Sequence, residues 1–292
     1  MANKKSEWEA ISKVYNRLTP PDRPSLEVVR NTGKLIAKYF KNRKHPLNIL
    51  VMGSTTETRR ILYNYEFLYG DKITCIDANP DMYRATSELL VREGTTKEKF
   101  VSGSWLDTKL SSNSFDFVFG DEVICNIPLD LHDKLFTEIS RVMKKDGLWI
   151  TRHNFWQEKT QRKVATILTD LAKQIIEDGV AFQEIINILF IEMFYHKSVV
   201  SHNSVKKHLE VIKKEVGVGY KNINEKYRDV VKKIVKLYES GLAPVMGDYK
   251  WYMLDKKESD KEIIQYFKIL DVVIAKDFPT EKNSPIYVLK KK

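Results

Sequence analysis

The sequence predicts an α/β protein built on a doubly wound, mostly parallel sheet. Three observations carry the prediction. Strand-like and helix-like runs alternate from 47 to 154, the pattern of parallel strands joined by helical crossovers. The apolar run Leu47-Asn48-Ile49-Leu50-Val51-Met52 breaks at Gly53, and the run Lys72-Ile73-Thr74-Cys75-Ile76 ends on Asp77. An acid at the tip of the second strand of such a unit is placed to hold ribose hydroxyls. Finally, a wholly helical stretch, 157–240, separates the fifth strand from two more.

Taken in order, Trp8, Ile11, Val14, Tyr15 and Leu18 stand at helical spacing over 7–18. Thr19-Pro20-Pro21 ends that helix. A second helix is expected over Ser25–Phe40, with Val28, Val29, Leu35, Ile36 and Phe40 inward. The alternating region predicts strands at 47–52, 72–77, 99–102, 115–119 and 148–153. Helices are expected at 56–69, 80–93 and 130–143, with a turn at Lys144-Lys145-Asp146-Gly147. Asn79-Pro80-Asp81 is a strong helix start, since Asn caps, Pro suits the first turn and Asp complements the dipole. Four apolar stripes follow: Val164, Leu168, Leu171, Ile175; Phe182, Ile185, Leu189, Met193; Val205, Leu209, Ile212, Val216; Ile223, Tyr227, Val230, Ile234. Strands return at 270–275 and 286–289.

The 292 residues suffice for a full core without staples. Cys75 and Cys125 lie in apolar runs and read as buried thiols, with no disulfide framework and no metal cluster. Residues 1–8 lack an apolar signal core, and Ile185–Tyr195 is too short to span a bilayer. A cytoplasmic protein without a membrane partner is expected. The net charge of +10 reads first as a lysine-rich solvated surface and second as a nucleic-acid face.

The turn Gly53-Ser54-Thr55-Thr56-Glu57-Thr58 has one glycine where a dinucleotide fingerprint needs three. Glu57 sets negative charge in the first helical turn, where a pyrophosphate would sit. Ser54 and Glu57 make a capping box instead. A cofactor with adenosine but no phosphate fits both points. Read alone, Gly53 is also a tight turn and Asp77 also a strand-end acid. Met82 falls where a thioether would pack on a flat ring.

The series Ile49-Leu50-Val51-Met52-Gly53, Ile76-Asp77-Ala78-Asn79-Pro80-Asp81-Met82, Phe115-Asp116-Phe117-Val118-Phe119-Gly120-Asp121 and Ile139–Leu148 resembles the class I S-adenosylmethionine-dependent methyltransferases. The resemblance covers about 47–154. Residues 8–25 further resemble the N-terminal segment of a subgroup with a glycine-poor first loop. The implied fold is a seven-stranded Rossmann-like sheet, and the implied cofactor is S-adenosyl-L-methionine. The resemblance places Gly53 beside the methionine moiety and Asp77 at the ribose, with Ser54, Thr55 and Ala78 also among the cofactor-binding residues. It places Met82, Ser104, Trp105 and Asp107 around the adenine, with either Ser104 or Asp107 as the polar contact. Asp121 and Glu122 would flank the methyl group, and Arg23 and Tyr15 would reach the cofactor from the N-terminal segment, Arg23 at its carboxylate.

Candidates for a base are His153, at the end of strand five, and Asp121 or Glu122; Tyr195-His196 and His202 lie in the helical stretch. The expected division is an N-terminal helical lid, 1–46; a cofactor-binding core, 47–156; a helical insertion acting as substrate lid, 157–245; and C-terminal strands completing the sheet, 246–292. A small molecule is the expected acceptor, ahead of a peptide or protein and of nucleic acid. The rival reading is a non-catalytic binding module, which predicts a filled pocket with Met82 and Trp105 turned inward against protein.

Overall fold

The computed structural model describes residues 9, 11–13, 15–18, 20, 22–43, 45–90, 98–156, 162–194, 199–201, 204–240, 250–278 and 281–292. The chain divides into two compact units, one of residues 1–155 with 252–292, the other of residues 156–251.

The first unit holds a seven-stranded sheet. Its strands are β1 (Asn48–Met52), β2 (Lys72–Asp77), β3 (Lys99–Ser102), β4 (Phe115–Asp121), β5 (Met143–Arg152), β8 (Phe267–Val273) and β9 (Ile286–Lys291), in the order β3-β2-β1-β4-β5-β9-β8. The first five pair in parallel, and β9 runs antiparallel between β5 and β8. The order reverses direction between β1 and β4, so the crevice of a doubly wound sheet opens at the carboxyl ends of these two strands. This is the seven-stranded, mostly parallel sheet that the sequence predicts.

Helices α1 (Leu26–Phe40), α2 (Thr56–Tyr69), α3 (Pro80–Glu88), α4 (His132–Val142) and α9 (Lys256–Tyr266) flank it. One core packs Val28, Leu35, Ile36 and Phe40 of α1 on Val51, Phe117, Phe119 and Val288. The other packs Leu135, Phe136 and Ile139 of α4, with Ile263 of α9, on Leu50, Trp149 and Leu289. β1, β4 and β5 are therefore buried on both faces, which is why they read as continuous apolar runs.

Several boundaries differ from the sequence reading. Ser25 is not helical but caps α1, its Oγ accepting from the Val28 N–H at 3.2 Å. Between 9 and 18, Ile11 and Ser12 are helical and Tyr15–Arg17 form a 3-10 turn; Trp8, Val14, Thr19 and Pro21 lie outside the described residues. Helix α3 ends at Glu88. Helix α4 starts two residues later than expected, after the 3-10 turn Leu129–Leu131. β4 runs on to Asp121.

The expected turn 144–147 is instead a bulge inside β5. Phe115 pairs with Met143 and Phe117 already pairs with Leu148. The bulge is fixed by Lys144 Nζ on Asp116 at 2.8 Å. A Cβ at Gly147 would crowd the Lys144 carbonyl at 3.0 Å. Helix α9 has no counterpart among the predicted elements. Asp255 caps it, accepting from Glu258 N–H at 2.8 Å, but only Ser259 and Ile263 of its residues are buried, so it leaves almost no apolar stripe to read.

The second unit packs α5 (Val164–Glu177) against α6 (Phe182–Phe194), α7 (Ser204–Val216) and α8 (Glu225–Ser240). Val164, Leu168 and Leu171 are buried as expected. On α8 the buried line is Tyr227, Val231, Ile234, Val235 and Tyr238, with Val230 only half-buried. The region is not wholly helical: β6 (Val199–Ser201) pairs with β7 (Lys250–Tyr252), and consecutive valines suit a pleated pairing. The side chains of Phe190, Met193, Phe194 and Val205, with all of Tyr195, His196 and His202, lie outside the described residues. No helix among the described residues is long and apolar enough to cross a membrane. Cys75 and Cys125 are buried free thiols.

Candidate functional site

The carboxyl ends of β1 and β2 are tied together by backbone. Gly53 leaves β1 with φ +88°, a conformation that glycine adopts without strain. Its N–H donates to the Ile76 carbonyl at 2.9 Å. Asp77 ends β2 with both carboxylate oxygens occupied: Asn79 N–H donates to Oδ1 at 2.8 Å and Ser54 Oγ–H donates to Oδ2 at 2.9 Å. Burial pushes the Asp77 carboxyl up to about 6, against the pull of these two hydrogen bonds. Asn79 caps α3 through the N–H groups of Asp81 and Met82, at 2.8 and 3.1 Å.

Ser54 therefore does not form the expected capping box. Its hydroxyl is drawn to Asp77, and Glu57 is taken by Arg23, whose Nε donates to Glu57 Oε1 at 2.9 Å. The Arg23 guanidinium also lies over the Tyr15 ring, 5.0 Å from its centroid. Tyr15 is buried, and burial together with the nearby Glu57 charge raises its hydroxyl pKa; Thr55 is its hydrogen-bond partner. Arg23 is thus held by Glu57 in this conformation rather than free for a ligand carboxylate.

After β3, Gly103 N–H donates to the Asp77 carbonyl at 3.1 Å. Ser104 and Asp107 close a small turn, Asp107 N–H to Ser104 O at 3.3 Å, and both are exposed. Asp107 pairs with Lys109 at 2.6 Å. Trp105 turns the other way. Its Nε1–H donates to the Ile76 carbonyl at 3.1 Å, and its indole packs against Gly53. Met82 is buried, and Ala78 is exposed. Met82 and Trp105 are thus turned inward, as a filled pocket requires.

The ends of β4 and β5 hold a charge cluster. Arg152, 2% exposed, donates from Nε and Nη2 to Asp121 at 2.8 and 3.0 Å, and Nη2 lies 2.8 Å from Glu122 Oε1. Glu122 takes φ 55°, uncommon for a residue with a side chain. Burial raises its carboxyl; Arg152 opposes the shift and Asp121 adds to it. Asp22 joins the cluster, pushed by burial up to about 6 with Arg152 opposing. Pro24, Val28, Glu57, Phe119, Asp121 and Arg152 line a small cavity at this edge.

His153, one residue on, serves a different neighbourhood. Its Nε2 lies 2.7 Å from Ser259 Oγ of α9, and its ring packs edge-on against Phe155. Burial, with a lesser contribution from His132, pushes its pKa down to about 3. The structure brings Tyr15, Arg23, Thr55 and Asp121 together around Glu57 and Arg152, and brings Gly53, Ser54, Asp77 and Trp105 together around Ile76. It does not join His153 to Asp121 or Glu122.

Arg152, Asp22 and the structural use of Glu57 escape the sequence reading. The available signal for Arg152 was register: β4 and β5 are adjacent parallel strands, and Asp121 pairs with Arg152. Among the described residues no group of His, Cys, Asp and Glu is arranged to hold a metal.

Residues 53–151 match the family model of a methyltransferase domain. No curated protein matches the sequence. Among solved structures, a putative Zn-dependent alcohol dehydrogenase from Rhodobacter sphaeroides is similar at 13% identity and TM-score 0.56, covering 100% of both chains. The PH0226 protein of Pyrococcus horikoshii is similar at 15% identity and TM-score 0.51, covering 95% of this chain and 98% of its own. At these identities the likeness shows the fold alone. The bare backbone at Gly53 and the carboxylate of Asp77 across from Ser54 suit S-adenosylmethionine, whose ribose needs an acceptor there and whose lack of phosphate tolerates Glu57. Residues 53–151 thus match a methyltransferase domain, carried on a seven-stranded, mostly parallel, Rossmann-like sheet.

Proposed function

We propose that the chain is an S-adenosylmethionine-dependent methyltransferase that acts on a small-molecule acceptor, at the crevice between the ends of β1 and β4. The observation that carries the reading is the bond between Ser54 on the first loop and Asp77 at the tip of β2, 2.9 Å long. It sets a carboxylate beside a bare-backbone loop, the pairing that a ribose hydroxyl pair needs. The bound cofactor supplies a methyl group on a sulfonium. Asp77 accepts from the ribose hydroxyls, and Gly53, Ser54 and Thr55 line the path beyond. Two N-terminal side chains support a small acceptor: Tyr15 is buried beside Asp121, and Arg23 is held on Glu57 at 2.9 Å, so both narrow the space at the end of β4.

Where the acceptor arrives protonated, Glu122 is the group suited to take the proton. Its raised carboxyl is matched to that task near neutral pH, whereas both oxygens of Asp121 are taken by the Arg152 guanidinium. His153 is occupied with Ser259. The test is calorimetry with S-adenosylhomocysteine on the wild type and Asp77→Ala. Binding that the substitution weakens about 100-fold or more supports the reading, since a charged hydrogen-bond acceptor is lost. Equal binding by both proteins removes it.

A further inference from the structure

The indole of Trp105 stands on the ground between the ends of β1 and β2. A Cβ built on Gly53 would lie 3.3 Å from indole Cζ2 and 3.7 Å from Cη2, so the ring rests directly on the bare glycine face. The same edge of the ring is anchored by Nε1–H on the carbonyl of Ile76, the residue before Asp77. The ring therefore reaches from the first loop to the tip of β2. A nucleoside whose ribose hydroxyls reach Asp77 and whose chain passes Gly53 needs that same space. The glycine that opens the first loop to a ligand is filled by a side chain of the same protein.

The anchoring is of a kind that can be released. The Ile76 carbonyl also accepts from Gly53 N–H at 2.9 Å, so departure of the indole leaves it satisfied. The turn that bears Trp105 is held by its own backbone, Gly103 to Asp77 and Asp107 to Ser104. Ser104 and Asp107, on either side, are exposed, and Trp105 itself is only partly buried. Rotation about the side-chain torsions moves the ring outward without unfolding the turn.

We propose that Trp105 is a plug: it closes the nucleoside half of the site in the free protein and must swing out for the cofactor to enter. The inference deepens the assignment of S-adenosylmethionine to Asp77 and depends on it. A site closed by its own side chain binds with an affinity reduced by the fraction of molecules that are open. It also keeps the apolar face of β1 and β2 from water in the free protein.

The experiment uses the full chain labelled with 5-fluorotryptophan. The fluorine resonance missing from Trp105→Phe belongs to Trp105, one of five tryptophans. S-adenosylhomocysteine is titrated by fluorine NMR and by calorimetry into the wild type, Trp105→Phe and Trp105→Ala. The expected result is a shift of the Trp105 resonance at saturation, with affinity roughly five- to tenfold tighter for Trp105→Ala. Binding by the alanine variant alone also supports the plug, as a closed state too stable to open. Heat of binding in the wild type with an unmoved Trp105 resonance overturns the plug and leaves the cofactor assignment standing. No heat in any of the three, with each shown folded by its melting transition, overturns both.

Discussion

Asp121 and Arg152 face each other in register across β4 and β5, and two nitrogens of the guanidinium, Nε and Nη2, donate to the one carboxylate. Glu122 lies against the same Nη2. The arginine thus offsets two buried acids, and Asp22 stands near. Arg152→Met is expected to cost about 3–5 kcal/mol, because it strands buried negative charge. Arg152→Lys recovers only part, since an ammonium cannot make the paired contact. Urea unfolding measures both; a loss under about 1 kcal/mol for the methionine variant would show that water reaches these carboxylates freely.

Asp77 sets function against stability. Its carboxyl is raised to about 6 in the folded chain from 3.8, so the folded state holds the proton more tightly than the unfolded state does. Stability is then highest below pH ~4 for this group and is lost as pH rises towards ~6. Asp77→Asn should accordingly raise stability at pH 7 by about 1–2 kcal/mol while abolishing cofactor binding. In the wild type, cofactor affinity should fall as pH drops through about 6, because the neutral acid accepts poorly from a ribose hydroxyl. A pH series of calorimetric titrations, with melting of the variant beside it, checks both halves.

His153 shows the opposite sign. Its pKa falls to about 3 from 6.5, so the unfolded chain takes up the proton first. The neutral imidazole on Ser259 is stabilising above pH ~6.5, and that contribution is lost as pH falls towards ~3. His153→Gln should flatten the loss of melting temperature between pH 7 and 4 relative to the wild type. The pH–rate profile should carry no His153 limb, and a limb near 6.5 that vanishes in the variant would contradict the buried assignment.

Gly120 tests the packing beneath the site. An added Cβ would meet Val123 Cγ2 at 2.4 Å and the Met52 carbonyl at 2.9 Å. Gly120→Ala should cost about 1–3 kcal/mol by overpacking. Adding Val123→Ala should recover only part of it, because the carbonyl cannot step aside. Full recovery in the double variant, read by denaturant midpoints, would place the whole clash on the valine.

The sheet was legible because burial on both faces writes itself as apolar runs, from Ile49-Leu50-Val51 to Phe117-Val118-Phe119. The Asp77 turn was legible because its capping chemistry is local, Asn79 to Asp81 and Met82. Helix α9 was hidden because Ser259 and Ile263 alone face inward. The Lys144–Gly147 bulge was hidden because strand and turn share it. At the site, Glu57 and Ser54 have the spacing of a capping box, but Arg23 and Asp77 outbid each from afar in sequence. Such competition is decided by the tertiary structure, and no local pattern records it.

β9 lies between β5 and β8, so the sheet has a gap until residues 286–291 arrive. β5, paired with β4 on one edge, must wait for a partner on the other while all of residues 153–285 are made and, in part, folded. The apolar edge of Trp149 and Ile150, which pairs with Leu289 and Val288, stays open to other chains throughout that wait. Closure across so long a stretch of sequence is slow. The chain's hazard during synthesis thus concentrates at the open edge of β5 and in β8, and an early stop before β9 would leave adhesive edges rather than a shortened sheet.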